Sequence, residues 1–516
     1  MTSAPEDRYD DRIAGVLSCY DRVVITGTLP TVCYAEGMTR FLYANGIQIF
    51  EYPDFATMPR ERVREQVASV AAEAGVTIEH IAKSHIRKEA VVAKVLEQRG
   101  DRPGLVHVLS AMEACSSYRP WHDKQSHKTF LRPDTGKCLH YYFYFMDADL
   151  GLVYPRVPTW APFRLQFYCN GHGWLARQLT AEGIAFTTAD NAFVRIDDWQ
   201  RAQELADGFS PDLPHRVNPC LFASRPCRGA KWRDRYAALC CPVLDVFRQT
   251  YHWSLMRVEY ATDLVFRSAA TLKPLYDQFV RESVLNVKAE QVANFLGRKI
   301  APQLAQEVGS QFSTRIEGTC VKHRFGSASV KMYDKFGCVL RIETTTNDVS
   351  FFKHHRKVEH RQGSATRELA PVKKSIYSLI DLREILFGCN RRYLEHLSAL
   401  DDFSAGVRAL DRVTRPRVVD DKTVKGINFF DPTGKALLQA LQDPRVNIAG
   451  IRRGDPIPLL DRLTPNRLSR QSRRPRDIGV IKRVRGTYRY YLTRMGRAAT
   501  AALCRVTESI IIPAMA

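Results

Sequence analysis

The chain has 516 residues, 45% of them hydrophobic, which is enough for several buried cores, and its length alone suggests about three domains. Lys and Arg number 76 against 55 Asp and Glu, a formal net charge of +21, so the surface attracts polyanions over roughly a Debye length and nucleic acid is the expected partner. No run of about eighteen apolar residues occurs, and the start "MTSAPEDRYDDRIAG" is acidic where a signal peptide is basic and then apolar; no membrane partner and a cytoplasmic location are expected.

In chain order, residues 1–125 alternate strand and helix signals: "RVVITGTL", "EGMTRFLYANG", "IQIFEY", "PRERVREQVASVAAEAG", "VTIEHIA", "KEAVVAKVLEQRG" and "GLVHVLS". Four strands alternating with three helices predict a mainly parallel α/β sheet. Residues 126–232 change character, with aromatic strands around turn signals at "PDTGK" and "DADLG", where Asp147 and Asp149 suit a turn better than a magnesium site. This segment is expected to be antiparallel β plus the helices "WLARQLTAEG" and "DDWQRAQELADGF". Residues 233–362 read as helices followed by a β-hairpin, residues 363–430 as a helical linker, and residues 431–516 as a separate C-terminal domain. The expected class is therefore a multidomain α/β and α+β protein. The thirteen cysteines lie mostly in apolar or strand-like runs and are expected to be reduced core thiols. Cys220, Cys227, Cys240 and Cys241 lack the paired spacing of a zinc site.

The hairpin "SVKMYDKFGCVLRIETT" carries the candidate chemistry. A three-residue loop of Lys335, Phe336 and Gly337, with Gly337 in the left-handed region, pairs Tyr333 with Val339. That register sorts Val330, Met332, Leu340 and Ile342 onto one face and Lys331, Tyr333, Arg341 and Glu343 onto the other. The preceding strand "CVKHRFG" adds Lys322 and Arg324 to the polar face, and His323 to the apolar one. Cations there can bind a phosphodiester, Glu343 a divalent metal, and Tyr333 can serve as nucleophile, with Lys331 and Arg341 beside it. Further metal-ligand candidates are Asp334, Glu259 and Asp263, the last two in "RVEYATDLVF".

Tyr-Asp-Lys, a turn and "LRIETT" resemble the tyrosine and RxE hairpin of rolling-circle replication initiators. The resemblance spans some twenty residues and implies a strand nickase with Tyr333 as nucleophile, Glu343 as metal ligand and Mg²⁺ or Mn²⁺ as cofactor. The whole chain is also similar to a family of bacterial proteins associated with mobile elements, a likeness that by itself implies no activity.

The C-terminal stretch "DIGVIKRVRGTYRYYLTRMGR" resembles the end of the recognition helix, the wing and the last helix of bacterial winged helix-turn-helix domains. Between Ser469 and Arg497 ten cations face Asp477 alone. The winged-helix likeness places Arg470, Arg473 and Arg474 to reach base edges, and Lys482, Arg483, Arg485 and Arg489 to touch phosphates. Pro475 is expected to end the recognition helix early. The chain is thus expected to bind DNA as part of a mobile or replicating element, with a replication-initiator strand nickase as the leading enzymatic expectation. A non-catalytic DNA-binding regulator and an RNA-binding protein using the aromatic sheet are the alternatives.

Overall fold

A computed structural model describes residues 5–83, 86–209, 232–298, 312–317, 319–401, 410–419, 421–428, 431, 473–484, 487 and 489–506. The chain divides into two compact units, Met1–Ser398 and Ala399–Ala516.

The strands of the first unit are β1 (Ile13–Thr28), β2 (Ile78–His80), β3 (Gly104–Asp123), β4 (Lys128–Asp147), β5 (Gly151–Pro158), β6 (Leu165–Cys169), β7 (Phe186–Ala189), β8 (Ala192–Ile196), β9 (His252–Phe266), β10 (Phe312–Glu317), β11 (Cys320–Phe325), β12 (Ala328–Lys335), β13 (Val339–Thr346), β14 (Lys353–Glu359) and β15 (Ala365–Pro371). Among the described residues, eleven of them form one sheet in the order β10-β11-β12-β13-β9-β1-β6-β5-β4-β3-β2, while β7–β8 and β14–β15 are separate hairpins. One sheet therefore collects strands from both sides of residues 125 and 232, where domain boundaries were expected.

The expectation of a mainly parallel N-terminal sheet is corrected. Among the described strands only β2 runs parallel to its neighbour, β3; β1 pairs antiparallel with both β6 and β9, strands far away in the chain. The reason is local. "IQIFEY" is not a strand but a 3-10 turn, Ile49–Glu51, in which the Glu51 carboxylate accepts the Gln48 N–H at 2.9 Å. It leads straight into the helix Tyr52–Glu73, whose first turn contains Pro53. The "PDTGK" turn is corrected as well: β4 runs unbroken through Pro133 and Gly136, paired with β3. The "DADLG" turn is present, with Asp147 accepting the N–H groups of Asp149 and Leu150. A further correction concerns residues 233–300, which hold the fifteen-residue strand β9 between their helices.

One sheet face is the main core. Val23, Ile25, Phe143, Phe167, Leu264, Leu340 and Ile342 are buried there against the helices Ala35–Ala44, Tyr52–Glu73, Ala269–Asn286 and Leu379–Asp401. Each such side chain contributes about 1.5–3 kcal/mol through burial. The other face is covered in two patches. Leu17 and Cys19 lie under the helices Gly171–Glu182 and Trp199–Asp207 with the β7–β8 hairpin. Leu109 and Tyr144 lie under the helix Lys88–Arg99. Elsewhere this second face carries polar and charged side chains. No helix among the described residues is long and apolar enough to cross a membrane.

In the second unit, β16 (Arg417–Val419) pairs with β17 (Lys422–Val424), and β18 (Ile481–Arg483) with β19 (Tyr490–Leu492), followed by the helix Arg494–Val506. Residues 473–478 are helical, so the chain stays helical past Pro475 rather than ending there. Residues 432–472, with Arg470, and Arg485 lie outside the described residues.

Candidate functional site

The hairpin β12–β13 adopts a register two residues away from the expected one. Lys335 pairs with Val339 and Tyr333 with Arg341, so the loop is Phe336, Gly337 and Cys338. Both Phe336 (φ 58°) and Gly337 (φ 72°) take left-handed backbone angles. Because strand side chains alternate, a shift of two preserves the faces. Val330, Met332, Leu340 and Ile342 enter the core, while Lys331, Tyr333, Arg341 and Glu343 share the opposite face. β11 continues the row, with Lys322 opposite Lys331 and Arg324 opposite Ser329.

β9 pairs with β13 so that Asp263 stands opposite Arg341 and Glu259 opposite Thr345. The Arg341 side chain is fully buried. Its Nε and Nη2 reach both oxygens of Asp263 at 2.6 Å, and Nη2 also donates to the Asn191 carbonyl at 2.7 Å and to His172 Nε2 at 3.2 Å. Asp263 is thereby held as the arginine's partner and is not one of the carboxylates that converge on one point. Burial works against the Arg341 charge, but Asp263 and Asp21 hold its pKa far above the ordinary value.

Asp21 was not among the residues singled out from the sequence. It occupies a β-bulge, since Tyr20 faces Tyr260 and Arg22 faces Glu259, leaving Asp21 as the extra residue; bulges of this kind re-aim side chains. Asp21 Oδ1 accepts from Asn191 at 2.6 Å and Arg341 Nη1 at 3.3 Å, with His172 Nδ1 at 3.3 Å. With His172 Nε2 accepting from Arg341, its Nδ1 carries the proton toward Asp21. Burial alone raises the Asp21 pKa, yet the neighbouring His172 and Arg341 hold it well below the carboxylate range. His172 reaches this position because Asn170 caps its helix and Gly171 lies against the Tyr20 carbonyl, 2.6 Å from where a Cβ would sit.

Asp21, Glu259 and Glu343, from three adjacent strands, bring carboxylate oxygens within 4.8 Å of one another. Glu343 Oε1 accepts from Lys331 at 2.7 Å and Thr345 at 3.0 Å, and Oε2 from the Tyr333 hydroxyl at 2.7 Å. Burial pushes Glu343 up, but Lys331 outweighs it and holds the carboxyl below its ordinary value. Glu259 shifts the other way, raised by burial and the Glu343 charge against Lys331, Arg257 and Arg22. It forms an ion pair with Arg257, and Arg22 and Lys331 each lie at 3.9 Å. Burial and Glu343 push the Tyr333 phenol far upward, so it stands as a neutral donor.

Of the predicted metal ligands, the fold thus brings Glu259 and Glu343 together, adds Asp21, and sets Asp263 aside. Asp334 points to the opposite face, half-buried, with its carboxyl raised by burial. In the second unit Arg474, an exposed residue, donates to the carbonyls of Lys425, at 2.7 Å, and Gly426. Arg473 is exposed 3.7 Å from Asp477, Lys482 is exposed, and Arg483 donates to the Thr487 carbonyl at 2.8 Å. Arg489 lies just before β19.

Compared with known proteins, the chain matches no family model, no curated protein and no solved structure.

Proposed function

We propose that the protein cleaves phosphodiester bonds of nucleic acid, DNA foremost, at Asp21, Glu259 and Glu343 with Mg²⁺ or Mn²⁺, and that its C-terminal unit is a winged helix holding the duplex. The observation that carries this reading is the convergence of three carboxylates within 4.8 Å, beside Arg22, Arg257 and Lys331. An all-oxygen donor set suits a hard divalent ion, which supplies polarisation of a phosphoryl oxygen and neutralises developing charge. The chain's residues do the remaining work. Arg341 and His172 orient Asp21, Lys331 and the two arginines attract the phosphate, and Glu343 is placed to take a proton from Tyr333.

A tyrosine-nucleophile form, as in a replication-initiating nickase of a mobile element, is favoured by the 2.7 Å bond from the Tyr333 hydroxyl to Glu343. In that form the phenolic oxygen bonds to phosphorus while a sugar oxygen leaves. The phenolic proton passes to Glu343 and the leaving oxygen takes one from solvent. Since the phenol is raised by burial and Glu343, its ionisation requires added positive charge at the site.

Full-length protein incubated with supercoiled and end-labelled single-stranded DNA and either metal, then denatured, tests both forms. Metal ligation supplies several kcal/mol to such transition states, so Glu343→Gln and Asp21→Asn are expected to cleave about a hundredfold more slowly or worse. A covalent adduct absent in Tyr333→Phe identifies the nickase, and cleavage unchanged in Tyr333→Phe identifies a hydrolase. Binding without cleavage by either metal sinks the catalytic reading and leaves a DNA-binding regulator. Preferential competition by RNA over duplex DNA overturns the DNA assignment.

A further inference from the structure

A cavity of about 460 Å³ opens on the same sheet face, lined by residues of β1, β3 to β6 and β9 and by the segments carrying Trp160, Arg164 and Lys374. Its chemistry is one-sided. Arg156, Arg164 and Lys374 line it, and among the described residues no Asp or Glu does. Arg156 is anchored from behind by Glu113, at 3.0 Å from Nε and 2.7 Å from Nη2. Lys374 lies 3.2 Å from Asp348, and Arg164 is exposed. The pocket therefore favours an anion.

Its other lining groups suit a flat, hydrogen-bonding ring. Trp160, Pro158 and Pro162 supply flat apolar surfaces. Thr26 lines this space while only 7% exposed, and its buried Oγ1 has no hydrogen-bond partner, an uncompensated cost for a buried hydroxyl. His140 Nδ1 lies 3.1 Å from the Cys138 carbonyl, which fixes the proton there and leaves Nε2 as an acceptor. The Gln166 amide donates to the Met256 sulfur, at 3.3 Å, a weak acceptor that a ligand can replace.

Thr26 lies four residues along β1 from Arg22, or about 13 Å at the rise of an extended strand. The strip between cavity and carboxylates holds Arg22 over the Tyr168 ring, at 5.3 Å, together with half-buried Arg257 and exposed Met256. Cations and an aromatic ring form the kind of track that single-stranded nucleic acid follows.

We propose that this cavity binds one unstacked nucleotide of a strand whose neighbouring phosphodiester lies at the carboxylates, the base against Trp160 and the phosphate toward Arg164 and Lys374. The proposal rests on the phosphodiesterase reading for the strand's path. The occupant's chemical class, a nucleoside 5′-monophosphate unit, follows from the lining itself.

Full-length protein without divalent metal is titrated calorimetrically with adenosine and cytidine 5′-monophosphates, in ribo and deoxy forms, and separately with inorganic phosphate. The monophosphates are expected to bind about tenfold more tightly than phosphate, and the double variant Arg164→Glu with Lys374→Glu to lose about tenfold or more at unchanged melting temperature. Gln166→Leu, away from the exposed charges, is expected to weaken the monophosphates but not phosphate. Glu343→Gln is expected to bind them as the parent does. No detectable binding, equal affinity for phosphate and nucleotides, indifference to the double variant, or weakened binding in Glu343→Gln overturns the proposal. The two readings fail separately: nucleotide binding without any cleavage removes the phosphodiesterase, and cleavage without nucleotide binding removes the pocket.

Discussion

Arg341 shows how one residue sets the chemistry of its neighbours. A fully buried guanidinium holding both oxygens of Asp263 leaves an uncompensated charge when either member is removed. Arg341→Leu is expected to cost about 3–5 kcal/mol in urea denaturation, with much of the loss recovered in the double variant with Asp263→Leu. Little or no loss in the single variant would show that the pair is not integral to the core. Two buried histidines set the acid response. His140, through burial and Arg156, and His323, through burial and His396, are lowered from 6.5 to about 4. Between those values the unfolded chain binds protons that the folded chain refuses, so stability present above pH 6.5 is lost as pH falls toward 4. Melting temperature against pH should show that limb, and His140→Gln should make it shallower. Asp21 and Glu343, held low in the fold, extend the loss to more acidic pH.

At the scale of elements, the β12–β13 hairpin carries the site because its loop length fixes which side chains face the carboxylates. Gly337→Ala places a side chain at φ 72° and should cost about 1–2 kcal/mol, read from equilibrium unfolding. One residue inserted after Gly337 alters the loop, and any slip by one sends Glu343 and Arg341 to the core side; such a variant is expected to lose cleavage as well as stability. Alternation along "SVKMYDK" and "VLRIETT" made the two faces of this hairpin legible before the fold was known. The pairing itself was not legible, because registers two residues apart produce the same alternation. β9 escaped notice for a related reason. Its burial pattern runs unbroken from Val258 to Phe266, with Asp263 neutralised by Arg341 of a strand that lies dozens of residues away.

For the molecule as a whole, the proposal divides the work between a sheet that carries the carboxylates and a basic C-terminal unit. If β18 and β19 form a wing on the duplex, phosphate contacts from Lys482 and Arg483 make binding steeply salt-dependent. Lys482→Glu with Arg483→Glu should weaken duplex binding across sequences and lower the slope of log K against log salt by about 2. Fluorescence anisotropy at several salt concentrations measures this, and an unchanged slope would place the duplex elsewhere. The helix-strand-strand-helix order around "DIGVIKRVRGTYRYYLTR" was readable because turn, alternation and helix signals there are all local.

The sequence by itself determined the basic charge, several of the helices and the two faces of the candidate hairpin, because composition, helical periodicity and side-chain alternation act over a few residues. Tertiary structure alone decided that the sheet is mainly antiparallel, that Asp21 joins Glu259 and Glu343, and that Asp263 is bound to Arg341. Those outcomes depend on pairing β1 with β9 and β9 with β13, strands whose paired residues lie as far apart as Ile13 and Phe266, and on a single bulge at Asp21. Long-range pairing and bulges leave no periodic trace in a lone sequence, since their energy is gained only when the distant partner arrives.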